Sequence, residues 1–223
     1  MRPLVPILHL AAGHHGGQVA VLKLAENGHA QADLSKVPAD RLLSVMTRCV
    51  FNAGFNWKVI DAKWDGFEAA FEGFDPAKLA FFGEDMMDDL VSDARIVRNG
   101  QKIKATLENA RMVAEIEQSE GGFGRFLATW PADDQVGLMH ALNTRGSRLG
   151  GATGQYFLRF CGWDAWITSR DVCVALVREG VLDKPMATSK RDLGKVQAAI
   201  NHWHSGSGLP RAAISRILAL SVG

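Results

Sequence analysis

The sequence predicts an all-α protein built as a two-lobed helical bundle. Apolar residues recur at intervals of three and four along its 223 residues, no stretch sustains the alternation of a half-buried strand, and helix-capping residues precede several of the apolar periods. The chain is long enough to bury a sizeable core, and two lobes sharing a cleft are expected: residues 1–40 with the C-terminal helices from about 170 to 223 in one, residues 41–169 in the other. A hydrophobic content of 47% with 22% charged residues is ordinary for a folded protein, and no apolar run approaches the roughly 20 residues of a membrane span. Met1 to Ala12 is apolar but holds Pro3 and Pro6 and only Arg2 as a charge, so no secretory leader is expected. Cys49, Cys161 and Cys173 cannot pair completely and show no C-x-x-C spacing, which fits a reduced, cytoplasmic protein. With a net charge of +1, contact with a polyanion would have to come from a local basic patch.

The elements follow in order. A helix is expected over Gln18 to Glu26, ended by Asn27-Gly28, with a polar segment through Pro38. Asp40 is placed as the N-cap of a helix carrying Leu42, Leu43, Val45, Met46, Cys49 and Val50, which breaks near Ala53-Gly54. A second helix starts near Asn56 and presents Trp57, Ile60, Trp64 and Phe67 to Phe71 on one broad face. Short helices are expected from Asp75-Pro76, from Gly83-Glu84 and from Asp93 to Asn99-Gly100. Ile103, Leu107, Ala110, Val113 and Ile116 mark the longest helix, Gln101 to Glu120, as the central rod. After Pro131, Asp133 or Asp134 caps a helix through Leu142. Further helices are placed near Gly154 to Phe160, Arg170 to Glu179, Lys190 to His202 behind a Ser189 cap, and Pro210 to Leu220.

Three constellations carry chemistry. Arg145 to Tyr156 reads as helix, hairpin, helix, and Gly150, Gly151 and Gly154 let a backbone approach closely. Amides opening the next helix can face an anion, so one reading is a DNA phosphate held beside Arg145, Arg148 and Thr153; the other is a glycine turn between packed helices. Phe51-Asn52-Ala53-Gly54-Phe55-Asn56-Trp57 sets aromatics beside amides at a bend, which suits stacking and reading of a base turned out of a duplex, or else plain core packing. Asp171, one helix and one loop beyond the hairpin, is either an acid at a helix start or a carboxylate that stabilises a cation developing on deoxyribose and orients a water. Arg98 and Lys102 join Arg145 and Arg148 as candidate backbone contacts, or as solvated surface.

These residues resemble the DNA-3-methyladenine glycosylase I family, within the helix-hairpin-helix glycosylases, over most of the chain from about Arg41 onward. Asn52-Ala53-Gly54-Phe55-Asn56-Trp57 is similar to the family's Q-A-G-L-S-W, and Phe67 to Pro76 to its F-x-x-A-F-x-x-F-D-P. Ile96 to Ile103 is similar to its I-I-R-N-x-x-K-I, and Arg145-Gly146 with Gly150-Gly151-Ala152-Thr153 parallels its R-G-F-K-F-V-G-x-T. The resemblance implies hydrolysis of the N-glycosidic bond of 3-methyladenine in double-stranded DNA, by a monomer without a cofactor. A non-catalytic protein of the same fold that recognises damaged DNA is the alternative. It also implies that Trp57 stacks on the methylated base. Three departures stand out. Cys49 occupies the place of the family's base-reading glutamate, which leaves Asn52 or an N-terminal residue for that role. The family's zinc-binding cysteines are absent, and with His14, His15, His202 and His204 wrongly spaced no structural zinc is expected. Asp171 resembles the acid of the wider superfamily, which the best-known members of this family lack at that place.

Overall fold

The computed structural model describes residues 2–26 and 33–223. Among them the chain is helical, with no strand. In order come α1 (Val5–His14), α2 (Gln18–Glu26), α3 (Ala39–Asn52), α4 (Trp57–Ala62), α5 (Trp64–Ala70), α6 (Pro76–Leu79), α7 (Glu84–Ser92) and α8 (Gly100–Ser119). They are followed by α9 (Phe123–Thr129), α10 (Gln135–Arg145), α11 (Gly151–Cys161), α12 (Arg170–Arg178), α13 (Lys190–Ser207) and α14 (Arg211–Leu220). Short 3-10 turns lie at Leu34–Lys36 and Glu72–Phe74. The expected Asn27-Gly28 stop lies outside the described residues. Two compact units emerge: Ala32–Trp130 with Met139–Phe157, and Met1–Gln31 with Pro131–Leu138 and Leu158–Gly223.

The first unit is assembled on α8, which packs against α3, α6, α7 and α9. Its buried stripe contains Ile103, Leu107, Ala110, Val113 and Ile116, the positions the helical period picks out. Beside it runs an aromatic stack. Trp64 lies parallel to Phe67 at 5.0 Å and to Phe74 at 5.5 Å, and Phe71 extends the row 5.4 Å from Phe74. Each buried phenylalanine of this row contributes roughly 1.5–3 kcal/mol by leaving water, and the ring geometry adds about 0.5–1.5 kcal/mol per pair.

Three local expectations give way to a different structure, and two helices appear that the sequence does not announce. The broad helix after Asn56 is two helices joined at Lys63, and only Ile60, Trp64, Phe67 and Phe71 turn inward, while Trp57 faces out. No helix starts at Asp93: its carboxylate accepts from the Arg95 amide at 2.8 Å and holds the Arg95 guanidinium at 2.7 Å, closing a local turn instead. That turn approaches α5 so closely that a Cβ on Gly66 would lie 2.5 Å from the Arg95 carbonyl oxygen. Asp40 sits in the first turn of α3 behind a Pro38 cap, rather than at the cap itself. Helix α9 was hidden by Gly121-Gly122 and Gly124, residues of low helix propensity, yet Gly124 lets the helix press on the Leu34 carbonyl oxygen, 2.2 Å from where a Cβ would stand. Helix α1 is likewise unheralded, because Pro6 reads as a breaker although a proline in the first helical turn costs nothing.

In the second unit α14 packs against α1, α2, α12 and α13. Ile214, Ile217 and Leu218 meet Ile7, Val21, Leu176 and Trp203 in a fully apolar centre. Arg2 ties the N-terminal segment down: its carbonyl oxygen accepts from Trp203 Nε1 at 3.0 Å, and its guanidinium donates to Glu179 at 2.7 Å.

Candidate nucleic-acid interface

Helix α3 ends at Asn52 and the chain turns sharply, with Gly54 at φ +75° and the Phe55 amide donating to the Asn52 carbonyl at 3.1 Å. Asn56 then caps α4, accepting from the Lys58 amide at 3.0 Å. The turn carries two aromatic rings to the surface: Phe55 is 40% exposed and Trp57 41%. Trp57 meets Tyr156 edge to face at 5.4 Å. Tyr156 belongs to α11, the helix that the hairpin opens. Phe51, expected among the base-stacking rings, is fully buried and packs on Phe67 at 4.7 Å, so it serves the core. Cys49 is buried. Asn52 is buried too, and its Oδ1 makes no hydrogen bond, an unmet acceptor that costs about 1–3 kcal/mol until a donor reaches it.

Lys102, expected to reach a phosphate, is only 5% exposed. Its ammonium donates to the Phe51 carbonyl at 2.9 Å and the Ala53 carbonyl at 2.6 Å, and lies 4.2 Å from the centre of the Phe55 ring. Burial, reinforced by the nearby Arg148 charge, pushes its pKa below the ordinary lysine range. It is a support for the turn at Phe51–Ala53, not a surface cation.

The hairpin connects α10 to α11, and its shape is set from inside. Asn109 on α8, fully buried, accepts from the Ser147 amide at 2.7 Å and donates to the Ser147 carbonyl at 3.1 Å, holding both backbone polar groups of one residue and so the two successive peptide units that flank it. Leu149 is buried, and a Cβ on Gly154 would lie 2.3 Å from its carbonyl oxygen. Gly154 is therefore an internal packing residue rather than a contact for an outside partner. Gly150 and Gly151 are exposed, and Gly151 enters α11 at φ +57°, in the left-handed region that favours glycine. Thr153 is half-buried in the first turn of α11.

The basic residues divide. Arg145 donates to Glu120 at 2.7 Å and lies beside Glu115 at 3.5 Å, so its charge is engaged within the protein. Arg148 is exposed at φ +56° and donates to Gln101 on α8. Arg98 is exposed just ahead of α8. The first turn of α8 thus braces two neighbours at once, the aromatic turn through Lys102 and the hairpin through Gln101. Asp171 belongs to the other unit, where it is exposed in the first turn of α12 behind a Ser169 cap.

Two supports escape sequence reasoning. Asn109 is a polar residue inside the apolar stripe of the rod, and that misplacement was its only signal. Glu68 receives both Arg41 nitrogens at 3.0 and 2.9 Å, Ser44 at 2.7 Å and Trp64 Nε1 at 3.1 Å behind the aromatic stack. Burial pushes its carboxyl up, but Arg41 and Ser44 outweigh that and hold it below the usual carboxylate range.

Comparison with known proteins converges on these elements. The methyladenine glycosylase family profile matches residues 36–146. DNA-3-methyladenine glycosylase 1 of Escherichia coli (strain K12) is 32% identical over 129 residues, covering 49% of this chain and 69% of that protein. The chain belongs to the methyladenine glycosylase family. A crystal structure of 3-methyladenine DNA glycosylase I superimposes with a TM-score of 0.52 at 25% identity, over 64% of this chain and 88% of that one. The Staphylococcus aureus 3-methyladenine DNA glycosylase I shares the fold, with a TM-score of 0.53 at 23% identity over 64% and 84% of the two chains. In this methyladenine glycosylase the matched stretch holds the aromatic turn, Arg98, Lys102 and Asn109, and ends at Gly146, ahead of Gly151 and Asp171.

Proposed function

We propose that this protein removes alkylated purines, 3-methyladenine first, from double-stranded DNA by hydrolysing the N-glycosidic bond, the opening step of base-excision repair. One observation carries the reading. Trp57 touches Tyr156, so the exposed aromatic turn adjoins the helix whose opening residues belong to the hairpin, and a surface for a flipped base stands next to a surface for its phosphates. The exposed Gly150 and Gly151, with Arg148 and Arg98, hold the strand; Phe55 and Trp57 receive the base; Asn52 Oδ1, lacking a partner, accepts from an N–H on its edge.

The chemistry asks for little more. A base methylated at N3 carries a formal positive charge, so its glycosidic bond is already weakened and the leaving group needs no prior protonation. Asp171 is the candidate to stabilise the cation that develops on the sugar and to orient the attacking water. The replacement of the family's glutamate by Cys49 bears on which alkylated base is preferred more than on the reaction class.

Substituting Trp57→Ala and Asp171→Asn separates the roles. Trp57→Ala is expected to release 3-methyladenine from methylated duplex about 5- to 150-fold more slowly, since stacking on one base contributes about 1–3 kcal/mol, and Asp171→Asn is expected to slow release through the chemical step, both while binding undamaged duplex as before. Release by Trp57→Ala at the unaltered rate would remove the base-binding assignment, and the same result with Asp171→Asn would remove the catalytic one.

A further inference from the structure

Lys102 stands in the first turn of α8, where a cation opposes the helix dipole. Its placement is explained by what it faces. Two N–H groups go to the Phe51 and Ala53 carbonyls, at and just past the end of α3, where the dipole is negative and carbonyls lack intrahelical donors. The Phe55 ring takes the remaining face of the ammonium at 4.2 Å. One buried charge therefore joins the end of α3, the bend after it and the first of its two exposed rings. Asn99 fixes the origin of this side chain by capping α8 through the Lys102 amide at 3.1 Å. Around the ammonium, Arg148 is the other charged group that acts on it, from the hairpin side.

We propose that Lys102 is a positioning residue of the base site: it holds the 51–57 turn closed so that Phe55 and Trp57 are presented to the extrahelical base, without itself touching that base. The inference rests on the glycosylase reading for its kinetic consequence and on the turn geometry alone for its structural one. With the ammonium gone, the Phe51 and Ala53 carbonyls lose their donor, the ring of Phe55 loses its underlying charge, and the bend opens. The duplex is still held by the hairpin, but the flipped state loses its platform.

The experiment compares Lys102→Met, which keeps length and removes all donors, with Lys102→Arg, which keeps the charge and donors. Amide exchange is followed at Ala53 and Phe55, whose N–H groups donate to the Cys49 and Asn52 carbonyls at 3.2 and 3.1 Å. Single-turnover release of 3-methyladenine is followed alongside binding of undamaged duplex. In Lys102→Met, exchange over 51–57 is expected to accelerate at least about tenfold, and release at saturating enzyme to slow about 5- to 150-fold, the range that one base stack spans, with undamaged-duplex affinity unchanged. Lys102→Arg is expected to recover part of both. Unchanged exchange in Lys102→Met overturns the proposal, as does accelerated exchange with unchanged release by an active enzyme. A uniform loss of protection throughout α3 and α8, unrelieved in Lys102→Arg, also overturns it, because the role would then be one of general stability. If the unaltered protein releases no base, the glycosylase reading fails by itself, and the exchange result still decides whether Lys102 holds the turn.

Discussion

Removal of the Asn109 side chain tests the internal construction of the hairpin. In Asn109→Ala the Ser147 amide and carbonyl lose hydrogen bonds of 2.7 and 3.1 Å to a residue with no solvent exposure. Each such bond is worth about 0.5–1.5 kcal/mol, and a buried group left unmet costs about 1–3 kcal/mol. Ser147 is half-buried, so water can answer part of the demand, and a loss of about 2–4 kcal/mol is expected. For a chain of this size that lowers the melting temperature by about 5–15 °C, measured by circular dichroism. Asn109→Asp is expected to give no full rescue, since it keeps the acceptor for the Ser147 amide but sets a carboxylate against the Ser147 carbonyl. Duplex affinity is expected to fall with the Ala substitution, because the hairpin loses its fixed shape. A melting temperature within about 1 °C of the unaltered protein, with unaltered duplex affinity, would refute the reasoning.

Two glycines should respond to alanine with opposite signs. Gly154→Ala is destabilising by about 1–3 kcal/mol, since its Cβ would stand 2.3 Å from the Leu149 carbonyl oxygen, whereas Gly194→Ala on α13 meets nothing within 4 Å and gains up to about 1 kcal/mol of helix propensity; thermal melts decide both. Glu68 contributes stability through a depressed pKa, so its contribution is complete above the ordinary carboxylate range and is lost as pH falls through the folded-state value. Melting curves of the unaltered protein and Glu68→Gln should therefore draw together as pH is lowered from neutral to about 3, and a constant gap would contradict the assignment. Arg148→Ala should reduce the slope of log affinity against log salt by about 0.9 if its guanidinium contacts one phosphate, as read from duplex titrations.

Much of the helix inventory was legible because it rests on spacing and caps. The stripe of α8 and the caps at Asn56, Asp75 and Ser189 are written in adjacent residues. What stayed hidden depends on contacts between distant segments. Lys102 reads as a surface cation in its own helix, and only the end of α3, some 50 residues earlier, shows that its charge is buried on two carbonyls. Phe51 and Phe55 stand four residues apart and look alike, yet the break at Gly54 sends one into the core and the other outward. Gly154 invites the same reading as Gly150 and Gly151, and differs because Leu149 folds back beneath it. Arg145 loses its apparent availability to Glu115 near the end of α8 and Glu120 just past it, acids some 25 to 30 residues earlier in the chain.

The most direct measurement is the free base released when the purified protein is incubated with methylated duplex DNA, separated and identified by chromatography. Release of 3-methyladenine in step with the appearance of abasic sites is expected, without added metal or cofactor. Tight binding to the methylated duplex with no base released above the uncatalysed background would contradict it.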